Sequence, residues 1–227
     1  MNTPALVIRD LRVRVGGKII LDGGELVIKR HEVGAIVGAN GSGKTSLTRV
    51  LLGDSQYEIE EGAVELGGKN LLQLDASERA KAGLFVVWQN PVSIPGVSVF
   101  GMAKAMRQAR GKQDKLVELK QRIEELAKTV GLTPEHVGRS VNDGFSGGEK
   151  KRLELLLMML CEPKVAIMDE VDSGLDEAGR ELITRVVQQL QEEGVAVLVI
   201  THYPKMLEHL KVSKVWAINN GRIQTRN

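Results

Sequence analysis

The chain has 227 residues, which is long enough to bury one sizeable core, and α/β domains of this length commonly stay undivided. Its 31 Lys and Arg against 29 Asp and Glu give a formal net charge of +2, and aromatic residues make up only 3%. These values argue against an electrostatic nucleic-acid binder and against a base-stacking platform. No apolar stretch reaches the ~20 residues that span a bilayer, and the N-terminus lacks the basic-then-apolar pattern of a signal peptide. A single cysteine, Cys161, excludes an internal disulfide framework. We therefore expect a soluble cytoplasmic protein without a nucleic-acid partner and without direct membrane insertion.

The first part of the chain contains short β-type segments that are broken by glycine pairs. These segments are residues 5–8, 11–15 and 25–28, and residues 63–66 have the same character. They predict an antiparallel β lobe at the N-terminus.

A glycine-rich loop follows the apolar residues 33–37. Residues 38–45 read GANGSGKT and match G-x-x-x-x-G-K-[ST] at every position. The glycines allow positive φ and a close approach to a ligand, so that successive N–H groups can point at phosphate oxygens. Leu47, Val50 and Leu51 recur at helical spacing, and the loop is therefore expected to open onto a helix N-terminus with its partial positive charge.

Two side chains of this loop complete a phosphate site. Lys44 would reach the β- and γ-phosphates as a point charge, and the Thr45 hydroxyl is placed to ligate Mg²⁺. We predict that the chain binds ATP with Mg²⁺. The predicted nucleotide-binding residues are Gly38, Ala39, Asn40, Gly41, Ser42, Gly43, Lys44, Thr45 and Ser46.

Four segments, including residues 33–37 before the glycine-rich loop, are apolar at every position. This pattern predicts strands that are buried on both faces, as in a parallel sheet covered by helices. These are residues 33–37, 84–87, 165–168 and 195–200. A helix lies between the last two, so the sequence predicts a βαβ unit. Residues 215–219, the turn Asn220-Gly221 and Ile223 predict a β-hairpin at the sheet edge.

Between residues 91 and 143 the pattern predicts helices and no strands. Apolar residues at positions 116, 119, 123, 126 and 130 form one helical stripe. Asp114 is the predicted N-cap of this helix, Gly131 the predicted stop, and Thr133-Pro134 the start of a shorter helix.

The strand at 165–168 ends in two carboxylates, Asp169 and Glu170. The ends of parallel strands are where an α/β sheet places its ligand chemistry. Adjacent residues of a strand point to opposite faces, so we expect Asp169 to hold Mg²⁺ while Glu170 acts as general base on the attacking water.

A second anion site is predicted by residues 145–152, FSGGEKKR, which precede an apolar helix. Ser146, Gly147 and Gly148 would present N–H groups at the N-terminus of that helix.

In the order of these motifs the chain resembles the ABC ATPases from end to end. The resemblance implies an α/β P-loop NTPase core with a mostly parallel sheet, an N-terminal antiparallel β lobe and an inserted helical lobe. It places the core at residues 1–90 and 145–227 of a single domain and the helical insertion at 91–144. It also implies a head-to-tail homodimer that forms with ATP, in which the signature loop of one copy closes over ATP bound to the other.

The resemblance assigns further roles by position. His202, after the last long strand, would contact the γ-phosphate, and Gln89 would contact Mg²⁺ or the water. Asp176 belongs to the SGLD segment that would also line the nucleotide. The implied catalytic residues are Glu170, His202, Gln89 and Lys44, and the implied metal ligands are Thr45, Gln89 and Asp169.

Several variants within these motifs resemble the SufC group of ABC ATPases, which drive iron–sulfur cluster assembly on SufB/SufD-like scaffold proteins. The signature reads FSGGEKKR where transport ATPases usually show LSGGQ followed by QR, and VNDG precedes it. The resemblance implies an ATPase of a SUF-type assembly complex. Ala39 stands where proline is usual, Thr45-Ser46 replaces the commoner Ser-Thr, and the helical lobe is short; these departures bear on the identity of the partner.

Two alternatives remain open: the motor subunit of a membrane transporter, and a DNA-associated ATPase, which usually needs a long coiled-coil insertion.

Two further expectations concern single residues. Lys151 is our candidate for a cation that holds Glu170 out of line before dimer closure. Cys161, at the end of an apolar helix, is expected to be a small buried hydrophobe rather than a cluster ligand.

Overall fold

Two β-sheets, a two-stranded ribbon, eight α-helices and one 3₁₀ helix (Leu71–Gln73) make up the part of the chain that the computed structural model describes, residues 4–201 and 204–226. The strands are β1 (Pro4–Val15), β2 (Lys18–Asp22), β3 (Glu25–Lys29), β4 (Val33–Val37), β5 (Glu58–Leu66), β6 (Lys69–Asn70), β7 (Leu84–Val87), β8 (Ile94–Ser98), β9 (Ser140–Val141), β10 (Val165–Asp169), β11 (Ala196–Ile200), β12 (Lys214–Asn219) and β13 (Arg222–Arg226), of which β8 and β9 form a separate small ribbon. The helices are α1 (Lys44–Leu52), α2 (Ala76–Ala82), α3 (Val99–Ala109), α4 (Leu116–Thr129), α5 (Pro134–Gly138), α6 (Gly147–Cys161), α7 (Glu177–Glu192) and α8 (Pro204–Leu210).

The central sheet has six strands in the order β13-β12-β4-β11-β10-β7. All neighbours from β12 to β7 are parallel, and β13 closes the edge as an antiparallel hairpin with β12. The predicted parallel sheet and the terminal hairpin are therefore confirmed. The hairpin turn places Asn220 and Gly221 at positive φ (48° and 78°), as a tight two-residue turn requires.

Successive side chains of the central strands enter two different hydrophobic clusters. In β10, Val165 and Ile167 pack toward the N-terminal lobe and α1, whereas Ala166 and Met168 pack toward α6 and α7. This two-sided burial explains why the strands are apolar at every position. It also leaves only the strand ends to carry polar chemistry.

The N-terminal lobe is an antiparallel sheet in which β1 pairs with β2, β3 and β5. The two predicted strands at 5–8 and 11–15 are one strand, which was not expected. Its pairing with β5 shifts register between Arg9 and Arg12, and Asp10 there has φ 45°. Because the irregularity lies opposite Gly62, where a Cβ would come within 2.6 Å of the Asp10 carbonyl oxygen, the strand bends without ending.

Helices α3, α4 and α5 lie between β7 and α6 in the chain, as predicted, but the prediction of no strands in this region was wrong. β8 and β9 pair as a short antiparallel ribbon, with Ile94 opposite Val141. β8 contains a proline and a glycine and β9 has only two residues, so neither carries a recognisable strand pattern.

The predicted N-cap of α4 was also wrong. Lys115 occupies the N-cap position, and the Asp114 carboxylate instead receives two hydrogen bonds from the buried Arg107, at 2.5 and 2.7 Å. These hydrogen bonds lower the pKa of Asp114. The predicted stop is confirmed, because α4 ends at Thr129 and Gly131 follows at φ 71°.

Within the described ranges, no helix is both long enough and apolar enough to cross a bilayer.

Candidate functional site

The glycine-rich loop connects β4 to α1, as the motif predicts. Gly43 is the N-cap of α1 at φ 109°, a conformation that an L-residue rarely adopts. Gly38 does not have the positive φ that was expected. It is needed for space, because a Cβ there would meet the Ser42 Oγ at 2.6 Å and the Ile218 carbonyl oxygen at 2.9 Å. The loop is thus held close against its own backbone.

Lys44 is buried, and its ammonium group closes the loop from inside. Its Nζ donates to the carbonyl oxygens of Gly38 (2.9 Å) and Ala39 (3.0 Å). Both acceptors are neutral, whereas a phosphate oxygen carries negative charge and would attract the ammonium group more strongly. The lysine is therefore preorganised at the loop and able to exchange carbonyl oxygens for phosphate oxygens.

Asp169 is the last residue of β10 and is almost fully buried at the carboxyl end of the strand. Burial raises the pKa of its carboxyl group, while hydrogen bonding with Thr48 and the charge of Lys44 act in the opposite direction. Its Oδ1 atom accepts no hydrogen bond from any residue that the structure describes. A buried carboxylate oxygen of this kind fits a hard divalent cation such as Mg²⁺, which takes oxygen ligands.

Thr48 was not predicted as a site residue. It is buried one turn into α1, where its Oγ1 lies 3.4 Å from the Lys44 carbonyl oxygen and its side chain reaches Asp169. Its position one turn after Thr45 is the only sequence signal that could have indicated it.

Glu170 lies beyond the end of β10, with φ 49°. Its N–H donates to the Ile200 carbonyl oxygen (2.9 Å) and its carbonyl oxygen accepts from the Ser173 N–H (3.1 Å). The expectation that Asp169 and Glu170 alternate as two residues of one strand was therefore wrong. A left-handed turn, fixed by hydrogen bonds to β11 and to Ser173, directs the Glu170 side chain instead.

Strand register brings the predicted residues to one edge of the sheet. Ile36 of β4 and Asp169 of β10 both lie beside Ile200 of β11, and Met168 lies beside Val87 of β7. Gln89 follows β7 by two residues and is exposed at the same edge. His202 lies outside the described residues.

Lys151 of α6 contacts the turn that carries Glu170. Its Nζ donates to the Ser173 carbonyl oxygen, and burial lowers its pKa while the nearby Asp172 raises it. Asp172 itself accepts a hydrogen bond from the Thr201 hydroxyl at 2.8 Å. Lys151 thus contacts the turn of Glu170 through a backbone carbonyl oxygen, and the restraint of Glu170 by this lysine stays a prediction.

The signature residues form the N-terminus of α6, as predicted. Ser146 is the N-cap, with its hydroxyl accepting from the Glu149 N–H (3.4 Å) and its own N–H donating to the Glu149 carboxylate (2.8 Å). This capping box leaves Gly147, which is exposed, and Gly148, which is partly exposed, in the first turn of the helix. Hydrogen bonds from Ser146, with a further one from His136, lower the pKa of Glu149 to about 2.

Asp176 is the N-cap of α7 and accepts from the Gly179 N–H at 2.8 Å. It lines a cavity of about 280 Å³ together with Gly148 and Lys151. A different cleft, of about 680 Å³, is lined by Ala39, Asn40, Gly41 and Ser42. The two groups of predicted phosphate-binding residues therefore border separate spaces in one copy of the chain.

Cys161 ends α6 and is buried, as expected, and burial raises the pKa of its thiol.

Comparison with known proteins assigns the family. The sequence profile described as ABC transporter matches residues 21–173. Vegetative protein 296 of Bacillus subtilis (strain 168) is 38% identical over 98% of this chain and 87% of its own length. A probable ATP-dependent transporter, ycf16, of Cyanophora paradoxa is 38% identical over 98% and 88%. A probable ABC transporter ATP-binding protein of Streptococcus pyogenes serotype M3 is 38% identical over 96% and 86%.

Solved structures give the same fold. An ATP-binding subunit of an ABC transporter has a TM-score of 0.85 at 22% identity and covers 98% of this chain and 90% of its own. A dimeric ATP-binding cassette in a post-hydrolysis state with ADP and Pi has a TM-score of 0.83 at 21% identity and covers 98% of both chains. The predicted fold class is confirmed. With its phosphate loop and capped signature turn on this fold, the chain belongs to the ABC transporter family and is an ATPase, the ATP-binding subunit of an ABC system.

Proposed function

We propose that this chain is the ATP-hydrolysing subunit of a SUF-type iron–sulfur cluster assembly complex, in which ATP-driven dimerisation remodels a SufB/SufD-like scaffold. The observation that carries the proposal is the signature turn, where a carboxylate, Glu149, takes the place of the glutamine usual in transport ATPases. Glu149 keeps its negative charge because Ser146 and His136 stabilise it. Closing this turn over ATP brings like charges together, so closure calls for a partner that supplies the missing association energy.

The catalytic site is proposed to be shared between two copies. One copy contributes the loop with Lys44, and the other contributes Gly147 and Gly148 at the α6 N-terminus. The support is that loop residues 39–42 and Gly148 border separate spaces within one chain. Losing one such set of donors costs about 3 kcal/mol in the transition state, roughly a hundredfold in rate. An isolated copy is therefore a slow ATPase.

The remaining roles are assigned within this shared site. Thr45, Gln89 and Asp169 would hold Mg²⁺, which neutralises charge on the phosphates when bound. Glu170 would orient the attacking water and His202 would contact the γ-phosphate. Asp176, which follows Glu170 by six residues and caps α7, would also line the nucleotide.

We propose that the scaffold docks beside the Gln89 segment. A groove of about 450 Å³ lies there between α1, α2 and the residues that follow β7. Trp88, Asn90 and Val92 form one wall, and Val92 is 73% exposed although it is apolar. An apolar side chain in this setting suits a protein partner. The helical region 91–144 would move with whatever occupies the groove.

The second candidate is the nucleotide-binding subunit of a membrane ABC transporter. The names of several relatives favour it, since these proteins are described as probable transporters or transporter ATP-binding proteins. A permease segment would use the same groove.

Copurification separates the two candidates. The chain is co-expressed with SufB-type and SufD-type subunits and, in a parallel culture, with a permease from its own genome. We expect a detergent-free complex with the scaffold and an ATPase rate that rises at least tenfold in that complex. Val92→Asp is the interface control and is expected to abolish both effects. Recovery of the chain only in the membrane fraction with the permease would establish the transporter instead.

A further inference from the structure

A small junction joins the segment after Gln89 to the segment before the signature turn. β8 and β9 pair there, and the Gly96 N–H donates to the Ser140 hydroxyl at 3.2 Å. The Val99 N–H donates to the Arg139 carbonyl oxygen at 3.3 Å. Two stretches that lie more than forty residues apart in the sequence are therefore held side by side.

Asn142 is the centre of this junction. It is fully buried, and its Nδ2 donates to the Val92 carbonyl oxygen at 2.8 Å. The backbone carbonyl oxygen of Asn142 accepts a hydrogen bond from the Ser93 hydroxyl at 2.7 Å. Its φ of 58° is left-handed, a conformation that asparagine tolerates better than most residues. Two hydrogen bonds thus fix one residue to the exposed Val92–Ser93 segment.

Glu154 supports Asn142 from the signature helix. Its Oε1 lies 3.5 Å from the Asn142 Nδ2, two turns of α6 beyond Ser146. Burial raises the pKa of Glu154 to about 7, so a neutral carboxyl group is accessible near neutral pH. The Asn142 Oδ1 is buried and accepts no hydrogen bond from the described residues, so the Asn142 amide is held through its Nδ2.

We propose that Asn142, supported by Glu154, is a positioning residue that carries displacement of residues 92–93 to the signature turn at Ser146. Only three residues separate Asn142 from Ser146, and the α6 N-terminus follows directly. A shift of Val92 therefore moves the turn that must meet the second copy's ATP. The inference rests on the proposed function only in taking Val92 as part of the surface that a partner contacts.

The test uses the isolated chain with ATP and no partner. Asn142→Asp keeps the size and the left-handed conformation but replaces the Nδ2 donor by an acceptor facing the Val92 carbonyl oxygen. Asp143→Asn, the same exchange in reverse at the exposed neighbouring residue, is the matched control. Glu154→Gln and Glu154→Leu form a second pair, because glutamine keeps an oxygen that can accept from the Asn142 Nδ2 and leucine does not.

Three quantities are measured: ATP affinity, ATPase rate against protein concentration, and hydrogen exchange at Gly147 and Gly148. For Asn142→Asp and Glu154→Leu we expect unchanged ATP affinity, a rate at least about tenfold lower at a given protein concentration, and faster exchange at both glycines. Asp143→Asn and Glu154→Gln are expected to match the wild type. A purely structural role would instead lower ATP affinity and rate together.

Wild-type rates in Asn142→Asp, or a parallel loss of ATP affinity, would overturn the inference. If Asn142→Asp does not fold, Ser93→Ala replaces it, because this variant removes the hydrogen bond from the exposed Ser93 to the Asn142 backbone. It is also expected to lower the ATPase rate. Failure of a scaffold to bind would contradict the proposed function but would leave this result unaffected.

Discussion

Replacing Glu154 by glutamine should make the stability of the protein less dependent on pH. The pKa of this carboxyl group is about 7 in the folded chain, against 4.5 for an ordinary glutamate, because burial disfavours the charged form. Below pH 4.5 both folded and unfolded states are protonated and the group contributes nothing. Between 4.5 and about 7 the unfolded state releases its proton first, so rising pH favours unfolding. Above pH 7 the full cost is present, about 3 kcal/mol at 1.36 kcal/mol per pKa unit.

Urea unfolding at pH 5, 6, 7 and 8, followed by tryptophan fluorescence, measures this cost. Between pH 5 and pH 8, the free energy of unfolding of Glu154→Gln should rise relative to that of the wild type by up to about 3 kcal/mol. Most of this change should occur between pH 5 and pH 7. Glu124→Gln is the control, because it removes an exposed carboxylate of α4. Its free energy of unfolding should depend on pH in the same way as that of the wild type. Parallel curves for Glu154→Gln and the wild type would show that Glu154 is already ionised in the folded chain and would refute the reasoning.

Three further substitutions test the proposed catalytic site. Lys44→Ala should abolish ATP binding, since it removes the cation that the loop holds at Gly38 and Ala39, and an unchanged affinity by calorimetry would contradict this. Glu170→Gln should bind ATP, hydrolyse it at least about a hundredfold more slowly and accumulate as a dimer in size-exclusion chromatography; rapid turnover would count against its role as base. Lys151→Ala should raise the basal ATPase rate several-fold, about 1 kcal/mol, because it releases the turn that positions Glu170. A lower rate would show that this lysine instead assembles the site.

The sequence predicted the central sheet because its strands are buried on both faces and are apolar throughout. The phosphate loop was equally predictable, since its glycines and Lys44 serve one local geometry. The β8–β9 ribbon was missed because its pairing depends on Asn142 and other distant contacts, which leave no periodic pattern.

The side chains that connect motifs were also beyond the sequence. Thr48 and Asp172 are ordinary polar residues in the chain, and only burial beside Asp169 and Thr201 gives them a place in the site. Lys151 does lie beside the turn that carries Glu170, but the acceptor of its hydrogen bond, the Ser173 carbonyl oxygen, could not be predicted from residue types, and its restraint on Glu170 stays a prediction.

The central claim is that each catalytic site needs the loop of one copy and the signature turn of another, and mixing two inactive variants tests it most directly. Lys44→Ala disables the loop. Gly147→Asp disables the signature turn, and the structure leaves open space for this side chain in the free copy. Gly138→Asp, at another open helical glycine, is the matched control and should remain active. We predict that each disabled variant alone is nearly inactive and that their mixture exceeds the sum of the separate ATPase rates, because mixed dimers hold one intact site. Wild-type activity in Gly147→Asp alone, or a mixture no faster than the sum, would show that one chain builds the whole site and would contradict the account.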